Sequence, residues 1–360
     1  MRPRIGTWVL GSVGLGIVSL LTINAYRERA QQESAQAGSS HADPILPTHS
    51  AGQRTPLAVM FSIVWEGQEV RPSNINAIKQ LRSQFPHLPI YHFLSAGYFA
   101  RPTVDREALM ASIRSVVRAD DMVGIHFNGW RSIIERSGVE FKSRTNFWGA
   151  VPTDDQCKFN DCGNDIPLNE YSFAEIDRIL KTSLDVLDEA GFSSINGMMV
   201  GGWLAHETVM AAAAKNGIRF SFSQVWPSLL ERKLKAYPLF GSLQEVWGGV
   251  REENFAVAST RMTRFGEIAE LGNSATAVDF VDADHIVALF NRLWDMKKQN
   301  PKMPALFHLS MHQETAARYA SRFEMAIVKV QEEIRSNNIL ADLSPRAALF
   351  GLRKSALLGH

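Results

Sequence analysis

Between residues 57 and 336, short apolar runs alternate with longer amphipathic ones, and that order admits few folds. Strand-like runs are "LAVMFSIVW" (57–65), "LPIYHFLSA" (88–96), "DMVGIHF" (121–127), "INGMMVG" (195–201), "IRFSFS" (218–223), "NFAVAST" (254–260) and "PALFHLS" (304–310). Apolar residues recur at helical spacing in 74–85, 106–118, 173–190, 205–216, 282–298 and 315–336. Gly191 and Gly217 stop two of these helices, and Asp282 or Asp284 is available to start a third. Strands and helices in this order imply a parallel sheet with right-handed crossovers. About seven such units suit one barrel better than two domains.

The N-terminus bears on the compartment. Arg2 and Arg4 precede residues 5–23, which carry no charge and are just long enough to cross a bilayer as a helix. A cleaved signal peptide is the competing reading, with a cut after Ala25 that would place Ile23 where a small residue is preferred. Residues 1–25 are therefore expected to be a membrane anchor or signal peptide, and the polar stretch 26–55 a flexible linker. The barrel is expected over 56–340, with a tail at 341–360. It would lie in the periplasm or outside the cell, anchored to the inner membrane, or be secreted if the segment is cleaved. In such a compartment the two cysteines, Cys157 and Cys162 in "DQCKFNDCGND", predict a local disulfide. With 45% hydrophobic residues, 21% charged residues and a net charge of +1, the chain is globular in composition and gives no case for a nucleic-acid partner.

Strand C-termini and the loops after them form the active face of a parallel α/β barrel. Four runs end there on polar or aromatic residues: "FSIVWEG" (61–67), "VGIHFNGW" (123–130), "MMVGGW" (198–203) and "ALFHLSMH" (305–312). Glu66, just past the first, can ligate a metal, act as a base, or simply begin a solvated loop. His126 and Asn128 share a strand face and make a metal pair, although Asn is a poor zinc ligand. His308, Ser310 and His312 share another face, with His308 deep and suited to packing. His312, at the rim beside Glu314, suits a general acid. Trp130 and Trp203 offer flat faces for a sugar ring or simply pack. The chain has no Gly-x-Ser-x-Gly elbow and no dinucleotide-type glycine spacing. For a glycosidase, only Glu66 stands out among the carboxylates.

Taken together, these runs resemble the polysaccharide deacetylase (NodB-homology) family over about residues 56–337. "FSIVWEG" sits at the family's Thr-Phe-Asp-Asp motif, "GIHFNGW" at its metal-binding histidine motif, "MVGGW" at its Arg-x-Gly-Gly-Trp motif and "LSMH" at its closing Leu-x-x-His motif. The resemblance implies a distorted (β/α)7 barrel and metal-assisted amide hydrolysis, a hydrolase acting on carbon–nitrogen bonds other than peptide bonds. It implies a divalent ion, zinc by preference, held by Glu66 and His126 with Asn128 beside them. Glu66 and His312 would be the catalytic pair, with Trp130, Trp203 and Glu314 against the substrate. The implied partner is an acetylated polysaccharide or peptidoglycan. The chain departs from the pattern in three places: the catalytic aspartate falls near Val64 or Trp65, the second metal histidine at Asn128 or Trp130, and the orienting arginine at Met199. Those departures motivate a second expectation, a catalytically inactive barrel that binds glycan or a protein partner.

Overall fold

The computed structural model describes residues 56–345 except 154, 156 and 158–160, together with residue 349. The expected anchor, the linker and most of the tail lie outside the described residues. Among the described residues no helix is long and apolar enough to cross a membrane.

Strand β1 (Leu57–Trp65) is buried along its whole length, with no polar alternation. That pattern belongs to a parallel strand covered on both faces. β2 (Tyr91–Leu94), β3 (Met122–Phe127), β4 (Gly197–Val200) and β5 (Phe220–Gln224) follow beside it in order, each parallel to its neighbour. β6 (Ser259–Thr263) and β7 (Gly266–Gly272) form an antiparallel hairpin, and β7 pairs in parallel with β5. β8 (Leu306–His312) joins the other side of β1 in parallel, and a two-residue β9 (Ala341–Asp342) also pairs with β1. The path is β6-β7-β5-β4-β3-β2-β1-β8. Setting aside the antiparallel β6 and the short β9, this is a curved run of seven parallel strands.

The ladder does not close between β7 and β8. Irregular backbone fills that seam: the Ala275 and Val278 amides donate to the His308 and Ser310 carbonyls at 3.0 and 2.9 Å. The Ser274 hydroxyl accepts from the His308 amide at 2.8 Å, and the Asn273 amide group donates to the Ser310 hydroxyl at 3.1 Å. Backbone groups that lack a strand partner are thus satisfied one by one.

The helices are α1 (Pro72–Gln84), the single turn α2 (Gly97–Ala100), α3 (Arg106–Arg114), α4 (Arg131–Arg136), α5 (Phe173–Glu189), α6 (Glu207–Lys215), α7 (Pro227–Leu234), α8 (Pro238–Trp247), α9 (Ala283–Gln299) and α10 (Ala316–Ser336). Ser172 and Glu175 start α5 with a reciprocal capping box. Asp282, rather than Asp284, caps α9 by accepting from the His285 amide. α10 packs on α1 and α9 and sends Phe323 edge-on against Phe61 of β1.

Two local expectations need correction. The run "NFAVAST" is mostly not a strand, because the Asn254 side chain accepts from the Arg251 amide at 2.7 Å and folds the backbone into a turn. The strand proper begins at Ser259 and continues through a hairpin whose second arm, β7, periodicity did not mark. The helices α7 and α8 were also missed; each starts with a proline in its first turn, Pro227 and Pro238.

At the N-terminal end of the barrel, Arg82 makes a two-pronged contact with Asp121, both at 2.9 Å, with the two side chains 3% and 0% exposed. Asp121 also accepts from the Ile90 and Arg118 amides at 2.8 Å and faces His92 at 3.3 Å. This cluster pins the starts of β2 and β3 at the end opposite the polar strand ends.

Candidate functional site

The loop after β1 carries Glu66, and it is held from below. Its backbone carbonyl accepts from the Asn128 amide group at 2.8 Å and from the Trp130 indole N–H at 2.7 Å. Gly67 follows at φ +89°, and the Arg101 guanidinium donates to the Gly67 and Gln68 carbonyls. Trp130 is 3% exposed and lies beneath Arg101, 4.6 Å from its ring centroid. The structure therefore places Trp130 as a prop under the Glu66 loop rather than as a face open to a sugar. Asn128 is committed in the same way, since its Oδ1 accepts the Ser95 hydroxyl at 2.8 Å.

Close packing fixes this prop. A Cβ on Gly97 would stand 2.2 Å from Trp130 Cδ1. Gly97→Ala is expected to cost about 1–3 kcal/mol by overpacking and to shift the Glu66 loop. Urea denaturation monitored by tryptophan fluorescence checks this, and an unchanged midpoint would contradict it.

The Glu66 carboxylate sits between two imidazoles. His126 Nε2 is 3.1 Å from its Oε2, and His312 Nε2 is 3.5 Å from its Oε1. Burial alone would raise the Glu66 pKa, but the charges of His126 and His312 and the His126 hydrogen bond bring it down to about 2. His312 has a second carboxylate partner, with Nδ1 3.0 Å from Asp279 Oδ2. Burial disfavours its charge, yet Asp279, Glu66 and Glu314 together raise its pKa to about 9. The Thr315 hydroxyl holds the other oxygen of Asp279. Tyr98 donates to Glu314, whose pKa burial and the Glu66 charge push up to about 7. A fixed imidazolium, an ionised carboxylate and a near-neutral carboxyl thus meet at one end of the barrel.

These groups line a cavity of about 430 Å³ that also includes Trp203, Phe147 and Trp148. Trp203 is 5% exposed, its carbonyl accepts the Trp247 N–H at 2.7 Å, and its ring meets Phe280 edge-on. Of the residues singled out in the sequence, Glu66, His126, His312, Glu314 and Trp203 share this cavity, while Asn128 and Trp130 stand behind its wall. His308 lies deeper, bonded to the Ser62 hydroxyl at 2.7 Å, and burial takes its pKa down to about 3. Cys157 and Cys162 are paired as a disulfide, with Cα atoms 5.0 Å apart. The Cys162 carbonyl accepts from the Arg131 amide at 2.7 Å, and Asp161 holds Ser132 at the start of α4.

Asp279, Tyr98 and Thr315 are site residues that sequence reasoning missed. Asp279 follows the irregular seam, where no strand periodicity points to it. Its one signal was a carboxylate just ahead of the well-formed helix α9.

The donor set does not fit a catalytic zinc site. Three protein ligands are the norm for one. Among the described residues no group of three His, Cys, Asp or Glu side chains is placed to hold a metal ion. Glu66 and His126 are present, but the oxygen of Asn128 is taken by Ser95. His92 is bonded to Trp65 and Asp121, and His206 stands at the N-terminus of α6, so neither completes the set.

No family model and no curated protein matches the chain. Among solved structures it is similar to a Mycobacterium smegmatis protein assigned as a polysaccharide deacetylase, at 11% identity and TM-score 0.45, over 82% of this chain and 96% of that one. It is similar to a family 4 carbohydrate esterase from Streptomyces lividans, at 10% identity and TM-score 0.38, over 80% and 93% of the two chains. A 4-alpha-glucanotransferase from Thermococcus litoralis matches at 9% identity and TM-score 0.42, over 82% of this chain and 40% of that one. At such values the functional reading rests on the chain's own motifs and on the geometry of its cavity.

Proposed function

We propose that this chain is an extracytoplasmic, deacetylase-like carbohydrate-binding protein whose cavity takes an acetylated sugar of a cell-wall or exopolysaccharide glycan. The observation that carries the reading is the Glu66 carboxylate locked between His126 and His312. With a pKa of about 2 it is a poor base at neutral pH, where catalytic bases titrate near 7. Among the described residues no group of three His, Cys, Asp or Glu side chains is placed to hold a metal ion. What remains suits recognition. His312, charged through neutral pH and oriented by Asp279, keeps Nε2 beside Glu66 in the cavity, where an acceptor such as an acetyl oxygen could share its proton. Trp203, 5% exposed, contributes to the apolar wall of the cavity, against which the C–H groups of a sugar could pack. The uncharged stretch 5–23, preceded by Arg2 and Arg4, and a disulfide-bonded loop support placement outside the cytoplasm.

The His312–Asp279 pair favours a second reading, hydrolysis of the acetyl group. Water would add to the acetyl carbonyl, the carbon–nitrogen bond would break, and His312 would protonate the departing amine while a carboxylate takes the water proton. Calorimetry and acetate release with acetylated chitooligosaccharides, alongside metal analysis, separate the two readings. Binding without acetate is the expected result. Acetate release with stoichiometric metal, lost in His126→Ala, would establish the hydrolase. Absence of any binding would overturn both.

A further inference from the structure

Trp148 is 44% exposed, an unusual place for an indole, and it lines the rim of the cavity that holds Glu66. The turn beneath it is rigid. Asn146 Oδ1 accepts from the Trp148 and Ala150 amides at 3.0 and 2.9 Å, and Asn146 Nδ2 donates to Asp165 at 2.8 Å. The Asn146 amide in turn donates to the Ala150 carbonyl at 2.7 Å, and Gly149 takes φ +88° to close the turn. The preceding residue is tied at both ends: the Phe147 amide donates to the Asp165 carbonyl and its carbonyl accepts from Leu239. Tyr237, itself 41% exposed, meets the Trp148 ring edge-on with centroids 5.2 Å apart. An indole kept partly in water on a turn this well fastened is positioned for a ligand rather than for the core.

The cavity also does not end at one sugar. A second cavity of about 1210 Å³ shares Gln68, Glu69, Arg71, Asn164 and Asp165 with the first. The 146–152 turn contributes Phe147 and Trp148 to one and Asn146, Ala150, Val151 and Pro152 to the other. Space therefore continues past the Glu66 chamber, and Trp148 stands on the chamber side of the turn that the two cavities share.

We propose that Trp148 is a stacking subsite for the sugar ring adjoining the one in the Glu66 cavity, so that the ligand is an oligo- or polysaccharide and not a monosaccharide. This rests on the glycan reading above. The C–H face of a pyranose ring packs on an indole, and Tyr237 holds that indole in place.

The test compares N-acetylglucosamine with its β-1,4-linked dimer and trimer by calorimetry on the full chain. Lengthening from one ring to two is expected to raise affinity about fivefold to tenfold, the scale of one aromatic contact. Trp148→Ala is expected to remove most of that gain, lowering two-ring and three-ring affinity by a larger factor than one-ring affinity, and Trp148→Phe to keep part of it. Sugar binding with no chain-length gain, or a gain untouched by Trp148→Ala, overturns this inference and leaves the glycan reading standing. No binding of any of the three sugars overturns both. Dimerisation of the chain that is lost in Trp148→Ala would assign the surface to a second copy instead.

Discussion

Glu66→Gln is expected to shrink the acid limb of the stability–pH profile, leaving the part that Asp121 and Asp279 contribute, and to draw in the alkaline one. Glu66 has its pKa depressed from 4.5 to about 2, so its contribution is present above about pH 4.5 and lost as pH falls through about 2. His312 has its pKa raised from 6.5 to about 9, so its contribution is present below about pH 6.5 and lost as pH rises through about 9. Both are in full force only between those two ordinary values. A shift of this size corresponds to about 3 kcal/mol for either group. The two figures share the Glu66–His312 attraction and are not summed. With glutamine at 66, the Glu66 contribution disappears, while His312 keeps Asp279 and loses only part of its shift. Urea midpoints at about pH 3, 6 and 9, with the His312 ring followed by NMR, test this. A variant profile parallel to the wild type would refute the electrostatic account of the site.

Arg82→Ala is expected to have the larger effect on folding, a loss of about 3–5 kcal/mol. The cost comes less from the missing attraction than from Asp121, left buried with its charge and facing no guanidinium. Its remaining donors, the Ile90 and Arg118 amides and His92, were arranged around the pair and not in place of it. Arg136→Ala is the control, because its pairing with Glu189 is exposed on both sides and should be worth less than about 1 kcal/mol. Equilibrium urea denaturation of both variants gives the comparison. Equal losses would show that burial does not set the value of these pairs.

The parallel core was legible because its strands are apolar on both faces and its helices carry clear amphipathic spacing. β1 was readable to the residue, since only Ser62 interrupts the apolar run 57–65 and Glu66 ends it abruptly. Glu66, His126 and His312 were legible for the same reason: strand ends in a parallel sheet share one edge, whatever their distance in sequence. The hairpin of β6 and β7 was not, because "RMTRFGEIAE" mixes charged and apolar residues on an exposed edge. Asp279 was hidden because it follows backbone with no period at all. The role of Trp130 could not be read either. A tryptophan near a site looks the same in sequence whether its ring faces a ligand or its N–H props a carbonyl.

The seam between β7 and β8 gives the barrel one wall without a ladder, and Asp279 is the first residue beyond the hydrogen bond that Val278 makes across it. The counter-charge of His312 is therefore fastened to a stretch held by single hydrogen bonds rather than by a ladder. Any opening of that seam would carry Asp279 away from the imidazolium, so the proton on His312 is coupled to the closure of this wall.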